Sequence, residues 1–196
     1  MARDLECMKE IVAEMLIELG YDLEDPHIRD TPRRYSEWML EATENGFGAD
    51  SMGILSGKVW DSEAFSELIV VTDIKFASLC AHHLIPFDGY VDVGYVPNET
   101  NPQVVGLSKI ARVVLKEAQG LQVQEDLTSR ILKVFNEALS PAWIGIRMRS
   151  KHGCVAHRGI RTPESNMSTL LTTSNGKTTK ELARMFRSDF LALSRE

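Results

Sequence analysis

The sequence has no long apolar run and no excess of positive charge, and its first residues do not show the pattern of a signal peptide. Its apolar runs extend over only a few residues, so no segment is expected to span a membrane. The net charge of -6 argues against a broad nucleic-acid-binding surface, which needs an excess of Lys and Arg on one face. The first residues lack the basic start and apolar stretch of an export signal, and we therefore expect a cytoplasmic protein.

Cysteine is also scarce. Cys7, Cys80 and Cys154 are an odd number of thiols in a chain without an export signal, which favours reduced thiols or metal ligands over a disulfide framework. An apolar fraction of 43% and a charged fraction of 26% are typical of a globular protein. The length of 196 residues suits one domain, with or without a helical appendage.

Two kinds of hydrophobic periodicity divide the sequence. Helical spacing predicts a first helix that ends at Gly20, and a second that has Thr31 as N-cap and Pro32 at its first position. The remaining predicted elements are strands over 68–80, 90–96, 144–154 and 166–174, and helices over 108–120, 127–140 and 178–190.

Local motifs predict where several of these elements begin or end. Asp88-Gly89 suits a hairpin turn between the first two strands. Ser108 suits the N-cap of the helix that follows them, and Thr178 with Glu181 predicts a capping box before the last helix.

The order of these elements predicts an α+β fold. Two strands, two helices and two further strands indicate a four-stranded antiparallel sheet with a helix pair on one face. Residues 1–60 are predicted to form a helical N-terminal arm, and residues 61–196 the domain that contains the sheet. An open sheet leaves edges that other copies usually cover, so we expect an oligomer.

Cysteine and histidine are concentrated in two short segments. Cys80, His82 and His83 lie where a predicted strand runs into a loop. His152 and Cys154 have a spacing that would place both on one side of another strand. Three protein ligands from such a set, with water at the fourth position, would make a catalytic zinc site.

Simpler interpretations compete with a metal site. A buried cysteine is usually an inert core residue, and a histidine pair is often a surface feature. Spacing alone also leaves open whether His82 or His83 would be the ligand.

Two further motifs are compatible with nucleotide binding. Lys109 and Arg112 lie three residues apart near a predicted helix N-terminus and could hold phosphates, although such cations more often form a solvated face. Gln124 and Glu125 could together accept hydrogen bonds from guanine, although a glutamate is also common in the first turn of a helix.

In combination these motifs resemble the GTP cyclohydrolase I family. The resemblance extends from the Thr-Pro-x-Arg segment at Thr31 to the C-terminal helix. Its most specific parts lie in the expected order and are the segments 80–89, 105–112, 122–128 and 152–161.

The resemblance implies a role for each motif residue. Cys80, His83 and Cys154 resemble the zinc ligands of the family, and His82 and His152 resemble its two proton-transferring histidines. The residues that resemble substrate contacts are Gln124 and Glu125 for guanine, Ser108 for the ribose, Lys109, Arg112 and Arg158 for the triphosphate, and Arg34 for a phosphate bound by an adjacent subunit.

The family also implies a fold, an assembly and a reaction. The fold would be the tunnelling fold, residues 61–196 would be its catalytic domain, and the assembly a homodecamer of two pentamers with active sites between subunits. A zinc-activated water would open the imidazole ring of GTP, formate would leave, and 7,8-dihydroneopterin triphosphate would form without an organic cofactor.

This chain departs from the family pattern at several positions. Ala81 replaces a glutamate, Gly153 and His157 replace residues of other sizes, and Gly120-Leu121 replaces an Arg-Pro pair. The lost carboxylate at Ala81 could alter the orientation of His82 or the nucleotide that is accepted. The alternatives are a tunnelling-fold zinc hydrolase for another purine nucleotide such as dGTP, or a non-catalytic zinc- and nucleotide-binding oligomer.

Overall fold

The structure is a computed structural model, and it describes residues 4–44, 50–55, 59–61, 67–100, 102–176 and 178–194. The chain forms two compact units, Met1–Gly46 and Phe47–Glu196. The boundary expected near residue 60 stays a prediction. Within the described residues, none of the helices combines the length and the apolar character that a membrane crossing requires.

Within the described residues, the first unit contains two helices that pack on each other. Helix α1, Leu5–Glu18, is N-capped by the Asp4 carboxylate and has Leu19 as its C-cap. Gly20, the predicted C-cap, is the next residue and has a φ of 85°. Helix α2, Thr31–Ala42, has Asp30 as its N-cap. The N-cap predicted at Thr31 was therefore one residue too late, because Thr31 already has helical backbone.

The second unit contains the sheets and five helices within the described residues. Its elements are α3 (Ser51–Leu55), β1 (Val59–Asp61), β2 (Ile69–Cys80), β3 (Pro86–Val96), β4 (Gln103–Val105), α4 (Leu107–Ala118), β5 (Leu121–Gln122), α5 (Gln124–Leu139), β6 (Trp143–His152), α6 (Gly153–Ala156), β7 (Met167–Ser174) and α7 (Lys180–Leu193).

The main sheet has the strand order β5-β2-β3-β6-β7, and β1 pairs with β4 separately. Alternate residues of its strands, such as Val91, Val93 and Ile146, join α4 and α5 in the main core. The opposite face carries Trp143 and packs on Phe190 of α7. The α+β class and the helix pair on one face are thus confirmed.

The strand count differs from the prediction. Four antiparallel strands were expected, but β5 adds a fifth that pairs in parallel with the end of β2, Leu79 with Leu121 and Cys80 with Gln122. A strand of two residues is too short for any periodicity to indicate it.

The hairpin turn also lies elsewhere than predicted. Asp88 and Gly89 belong to β3, and the turn is formed by the residues between Cys80 and Pro86. Gly89 serves a close approach between strands, because a side chain there would overlap the backbone of Arg149 on β6. A glycine is therefore required at position 89, but the reason is close packing between strands and not a turn.

Three smaller predictions were also wrong. Gly106 and not Ser108 is the N-cap of α4. Thr179 and not Thr178 caps α7, because the Thr178 hydroxyl donates to the Ala142 carbonyl at 2.9 Å. Strand β6 ends at His152, so Cys154 lies in α6 and not on a strand.

Candidate metal centre and active site

Strand β2 ends in a tight turn that carries the first predicted ligands. The Cys80 carbonyl accepts from the backbone N–H groups of His83 at 3.3 Å and Leu84 at 2.9 Å. Leu84 has a left-handed backbone with φ of 56°, after which the Ile85 carbonyl accepts from the Cys80 N–H at 3.0 Å. This reversal turns the side chains of His82 and His83 toward Cys80.

The side chains of this turn form a compact group of potential metal ligands. The Cys80 sulfur lies 3.8 Å from Nδ1 of His82 and 3.6 Å from Nδ1 of His83. All three donor atoms lie within 4.8 Å of one another. Tetrahedral zinc with bonds of about 2.3 Å to sulfur and about 2.1 Å to nitrogen sets these atoms about 3.6 Å apart, so the group fits zinc. Both histidines satisfy this spacing.

Cys154 brings a second thiol from a distant part of the sequence. It packs against the core cluster that contains Cys80, within hydrogen-bonding reach of the Cys80 thiol. Burial raises the pKa of Cys154 and the contact with Cys80 raises it further, whereas Arg158 lowers it. Two thiols beside two imidazoles are a donor set that suits zinc.

A glycine allows the two segments to approach each other. A Cβ atom on Gly153 would lie 2.6 Å from both Cγ2 of Ile85 and the carbonyl oxygen of Pro86. The Pro86 oxygen belongs to the backbone and cannot move aside as a flexible side chain can. Gly153, at a position where the family commonly has a larger residue, therefore allows α6 to pack closely on the turn after β2.

His152 is held on two sides at the end of β6. Its ring stacks on Phe87, with centroids 4.5 Å apart and an interplanar angle of 3°. Its Nε2 lies 2.9 Å from Oε1 of Gln124. Burial lowers the pKa of His152, and the charge of Glu125 raises it. The ring is thus fixed in place by its neighbours.

Gln124 and Glu125 are adjacent in sequence but lie in different environments. Gln124 is 1% exposed, and both ends of its side-chain amide are bonded within the chain. Glu125 is exposed and lies close enough to His152 to influence its pKa. Glu125 is therefore accessible to a ligand, whereas Gln124 is internal.

The predicted phosphate contacts are divided between two places. Ser108 and Arg112 are exposed on α4, and the Lys109 ammonium donates to the Leu55 carbonyl at 3.4 Å. The contacts within the described part of the chain do not join Ser108 or Arg112 to the metal group. Arg158 is exposed but lies close enough to Cys154 to lower its pKa.

Arg34 lies on α2 in the first compact unit. Its Nε donates to the Asp30 carboxylate at 2.9 Å, and the same carboxylate binds Arg33 at 2.6 Å. The side chain of Arg34 is otherwise largely exposed. Its role as a phosphate contact stays a prediction.

The sequence analysis missed the polar residues that surround Gln124. The Ser150 hydroxyl donates to Oε1 of Gln124 at 2.5 Å, and the Thr169 hydroxyl accepts from its Nε2 at 3.2 Å. Ser150 could have been found, because it lies two residues before His152 on the same face of a strand. Nothing local in the sequence indicates that Thr169 lies beside Gln124.

Comparison with known proteins found a matching family and several named relatives. The family model described as GTP cyclohydrolase I matches residues 8–191. The chain belongs to the GTP cyclohydrolase I family. It is 37% identical over 161 residues to GTP cyclohydrolase 1 of Gloeobacter violaceus, covering 82% of this chain and 73% of that protein. It is 38% identical over 158 residues to the Saccharomyces cerevisiae protein of that name, covering 81% of this chain and 63% of the yeast protein.

Similar solved structures include two proteins with low identity. The archaeosine synthase QueF-Like in its apo form has a TM-score of 0.41 at 15% identity, over 56% of this chain and 95% of that one. The dihydroneopterin aldolase of E. coli in complex with neopterin has a TM-score of 0.43 at 10% identity, over 55% of this chain and 99% of that one.

Proposed function

We propose that this chain acts as a GTP cyclohydrolase I, which opens the imidazole ring of GTP, releases formate and forms 7,8-dihydroneopterin triphosphate. The observation that carries the proposal is the meeting of Cys80, His82 and His83 with Cys154, from segments about seventy residues apart, in a chain of this family.

We propose that Cys80, His83 and Cys154 hold a zinc ion. The 3.6 Å separation of the Cys80 sulfur and Nδ1 of His83 supports this set, as does the contact between the two thiols. When bound, zinc supplies an activated water for hydrolysis near neutral pH. The exposure of His83 leaves the group open on the side from which a substrate could approach.

His82 and His152 are the proposed proton-transferring groups. His82 is exposed beside the metal group, and His152 is held against Phe87 and Gln124. Burial lowers the pKa of His152 and so favours its neutral form, which can take up a proton and return it during the reaction.

The substrate would be held by residues around this group. The exposed carboxylate of Glu125 suits the N1–H and 2-amino donors of guanine, which form a pair that one carboxylate can accept. Arg158 suits a phosphate close to Cys154, and we propose Lys109, Arg112 and Arg34 for the triphosphate and Ser108 for the ribose.

An oligomer would bring the separate parts of such a site together. Ser108 and Arg112 are exposed on α4, apart from the metal group within the described contacts of one chain. A neighbouring copy could supply them, which agrees with a homodecamer of two pentamers that has its active sites between subunits. We propose this assembly, and sedimentation of the purified protein tests it.

A second candidate is a hydrolase for another purine nucleotide. Ala81 favours this candidate, because the exposed position beside His82 carries no carboxylate. The hydrogen bond that Ala81 makes is a backbone one, in which its N–H donates to the Gln122 carbonyl at 3.0 Å. A third candidate is a zinc-binding oligomer that binds nucleotide without turnover.

Formate release from GTP, dGTP and ITP by the zinc-loaded protein separates these candidates. We expect formate from GTP, together with a pterin that fluoresces after oxidation. The His82→Ala variant is the matched control for contaminating activity. A preference for dGTP would favour the second candidate, and absence of formate with all three nucleotides would rule out both hydrolases.

A further inference from the structure

A buried hydrogen-bond network surrounds the side chain of Gln124. Its Oε1 atom lies 2.5 Å from the Ser150 hydroxyl and 2.9 Å from Nε2 of His152. Its Nε2 atom donates to the Met148 and Met167 carbonyls, each at 3.4 Å, and to the Thr169 hydroxyl at 3.2 Å. With Gln124 1% exposed and Ser150 2% exposed, water does not reach the amide.

The partners of the amide determine which way it faces. Backbone carbonyls only accept hydrogen bonds, so the two methionine carbonyls require the NH₂ group of Gln124 on their side. The amide oxygen must then face Ser150 and His152. A flipped amide would place its NH₂ group beside His152 and its oxygen against two carbonyl oxygens, which is repulsive.

The orientation of the amide in turn determines the tautomer of His152. An amide oxygen accepts and cannot donate, so the contact at 2.9 Å requires a hydrogen on Nε2 of His152. The neutral ring therefore carries its proton on Nε2 and has a lone pair on Nδ1. Among the described residues, no hydrogen bond engages Nδ1.

Stacking on Phe87 completes the constraint. The planes of the two stacked rings are nearly parallel, with an angle of 3° between them. The imidazole therefore cannot rotate about its bond to Cβ without losing this contact. The hydrogen bond to Gln124 fixes the edge of the ring, and Phe87 fixes its plane.

We infer that Gln124 is a positioning residue that holds His152 in the Nε2–H tautomer and leaves Nδ1 as the nitrogen that exchanges protons with the substrate. This inference rests on the proposed function for the identity of the reaction, but the tautomer itself does not depend on it. The inference also assigns guanine recognition to Glu125 alone, since a guanine contact would require Gln124 to give up its internal bonds.

The tautomer can be measured directly in the zinc-loaded protein without substrate. Solid-state NMR of protein labelled with ¹⁵N in its histidines distinguishes protonated from unprotonated ring nitrogens, and the His152→Gln variant assigns the His152 signals. We expect hydrogen on Nε2 and none on Nδ1 in the neutral form. Hydrogen on Nδ1 would overturn the inference, even if the protein is an active cyclohydrolase.

Variants of the network test its effect on turnover. Gln124→Leu keeps the approximate volume but removes the acceptor, and we expect kcat for GTP to fall about 100-fold with KM nearly unchanged, because acid–base catalysis by His152 is impaired. Ser150→Ala removes the competing donor and leaves the acceptor, so its kcat should fall much less than that of Gln124→Leu. Its ¹⁵N spectrum should keep the Nε2–H tautomer.

The loss of a distant, half-buried hydroxyl serves as the control for stability. The Thr178 hydroxyl donates to Ala142 and Asn175 carbonyls, away from His152, so Thr178→Val should keep kcat. A rise in KM for GTP with unchanged kcat in Gln124→Leu would instead identify a guanine contact and overturn the inference. If that variant does not fold, the spectra of the original protein and of Ser150→Ala decide the question.

Discussion

One chain brings together all the residues of the metal group, Cys80, His82, His83 and Cys154, but through the described contacts it does not join to them the cationic surface of α4, which carries Lys109 and Arg112. The Cys80 sulfur lies within hydrogen-bonding distance of both His82 and His83. Cys154 lies beside Cys80, although it comes from a separate segment. Ser108 and Arg112 are exposed and are not joined to this group by the described contacts.

This difference separates two kinds of requirement. Metal ligands must meet within about 4 Å, which the end of a sheet can provide in a single chain. A triphosphate extends much farther than a metal ion, and its contacts can come from separate elements or from separate subunits. Metal binding and substrate binding should therefore respond independently to substitution.

The largest expected effect is that only one of two variants at neighbouring histidines loses the metal. His83→Ala should lose zinc and activity together, because it removes a proposed ligand. His82→Ala should retain zinc but lose about 100- to 10,000-fold in kcat, because it removes a proton-transferring group. Zinc content by atomic absorption, with formate release, checks both, and the reverse pattern would exchange the two roles.

A smaller effect is expected at the cationic surface. Lys109→Ala and Arg112→Ala should each raise KM for GTP about tenfold to a hundredfold, because each removes a charge-assisted contact to phosphate. Steady-state kinetics measures this, and zinc content should not change. Lys133→Ala, on the exposed surface of α5, is the matched control. Zinc loss in either variant would show that the two regions are coupled.

Close packing between the two ligand segments predicts a further effect. Gly153→Ala should weaken zinc binding by about tenfold, because its Cβ would press on the Pro86 carbonyl and move Cys154 away from Cys80. Competition with a chromophoric chelator measures the affinity. Val155→Ala, in the same short helix, is the control, and an unchanged affinity in Gly153→Ala would mean that the turn adapts without disturbing the ligands.

The smallest effect should lie outside both regions. Thr179→Ala removes the cap of α7, whose hydroxyl accepts from the Leu182 N–H at 3.2 Å. The free energy of unfolding should fall by about 1 kcal/mol, as measured by denaturant titration. Zinc content and kcat should stay the same. A change in either would show that α7 influences the site.

Much of the architecture could be predicted because its signals are local. The alternation around Phe76 and Val93 and the apolar stripes of α4 and α5 depend only on neighbouring residues, and they predicted the sheet and helix pair. The Cys-x-His-His and His-x-Cys motifs are also local, and they indicated the two segments that carry the proposed metal ligands.

The remaining features depend on contacts between distant residues. Strand β5 exists because Leu121 and Gln122 lie beside the end of β2. The sequence also could not show that Gln124 is buried, because its environment is made by Met148, Met167 and other residues at least 24 positions away. The sequence motif therefore predicted a guanine contact for a residue that long-range packing encloses.

The central claim is that Cys80 and Cys154 share one metal ion. X-ray absorption at the zinc edge of the purified protein counts the sulfur atoms bound to the metal. The account predicts two sulfurs at about 2.3 Å, and one in the Cys154→Ser variant. Fewer than two sulfurs in the original protein, or the same count in both proteins, would contradict it.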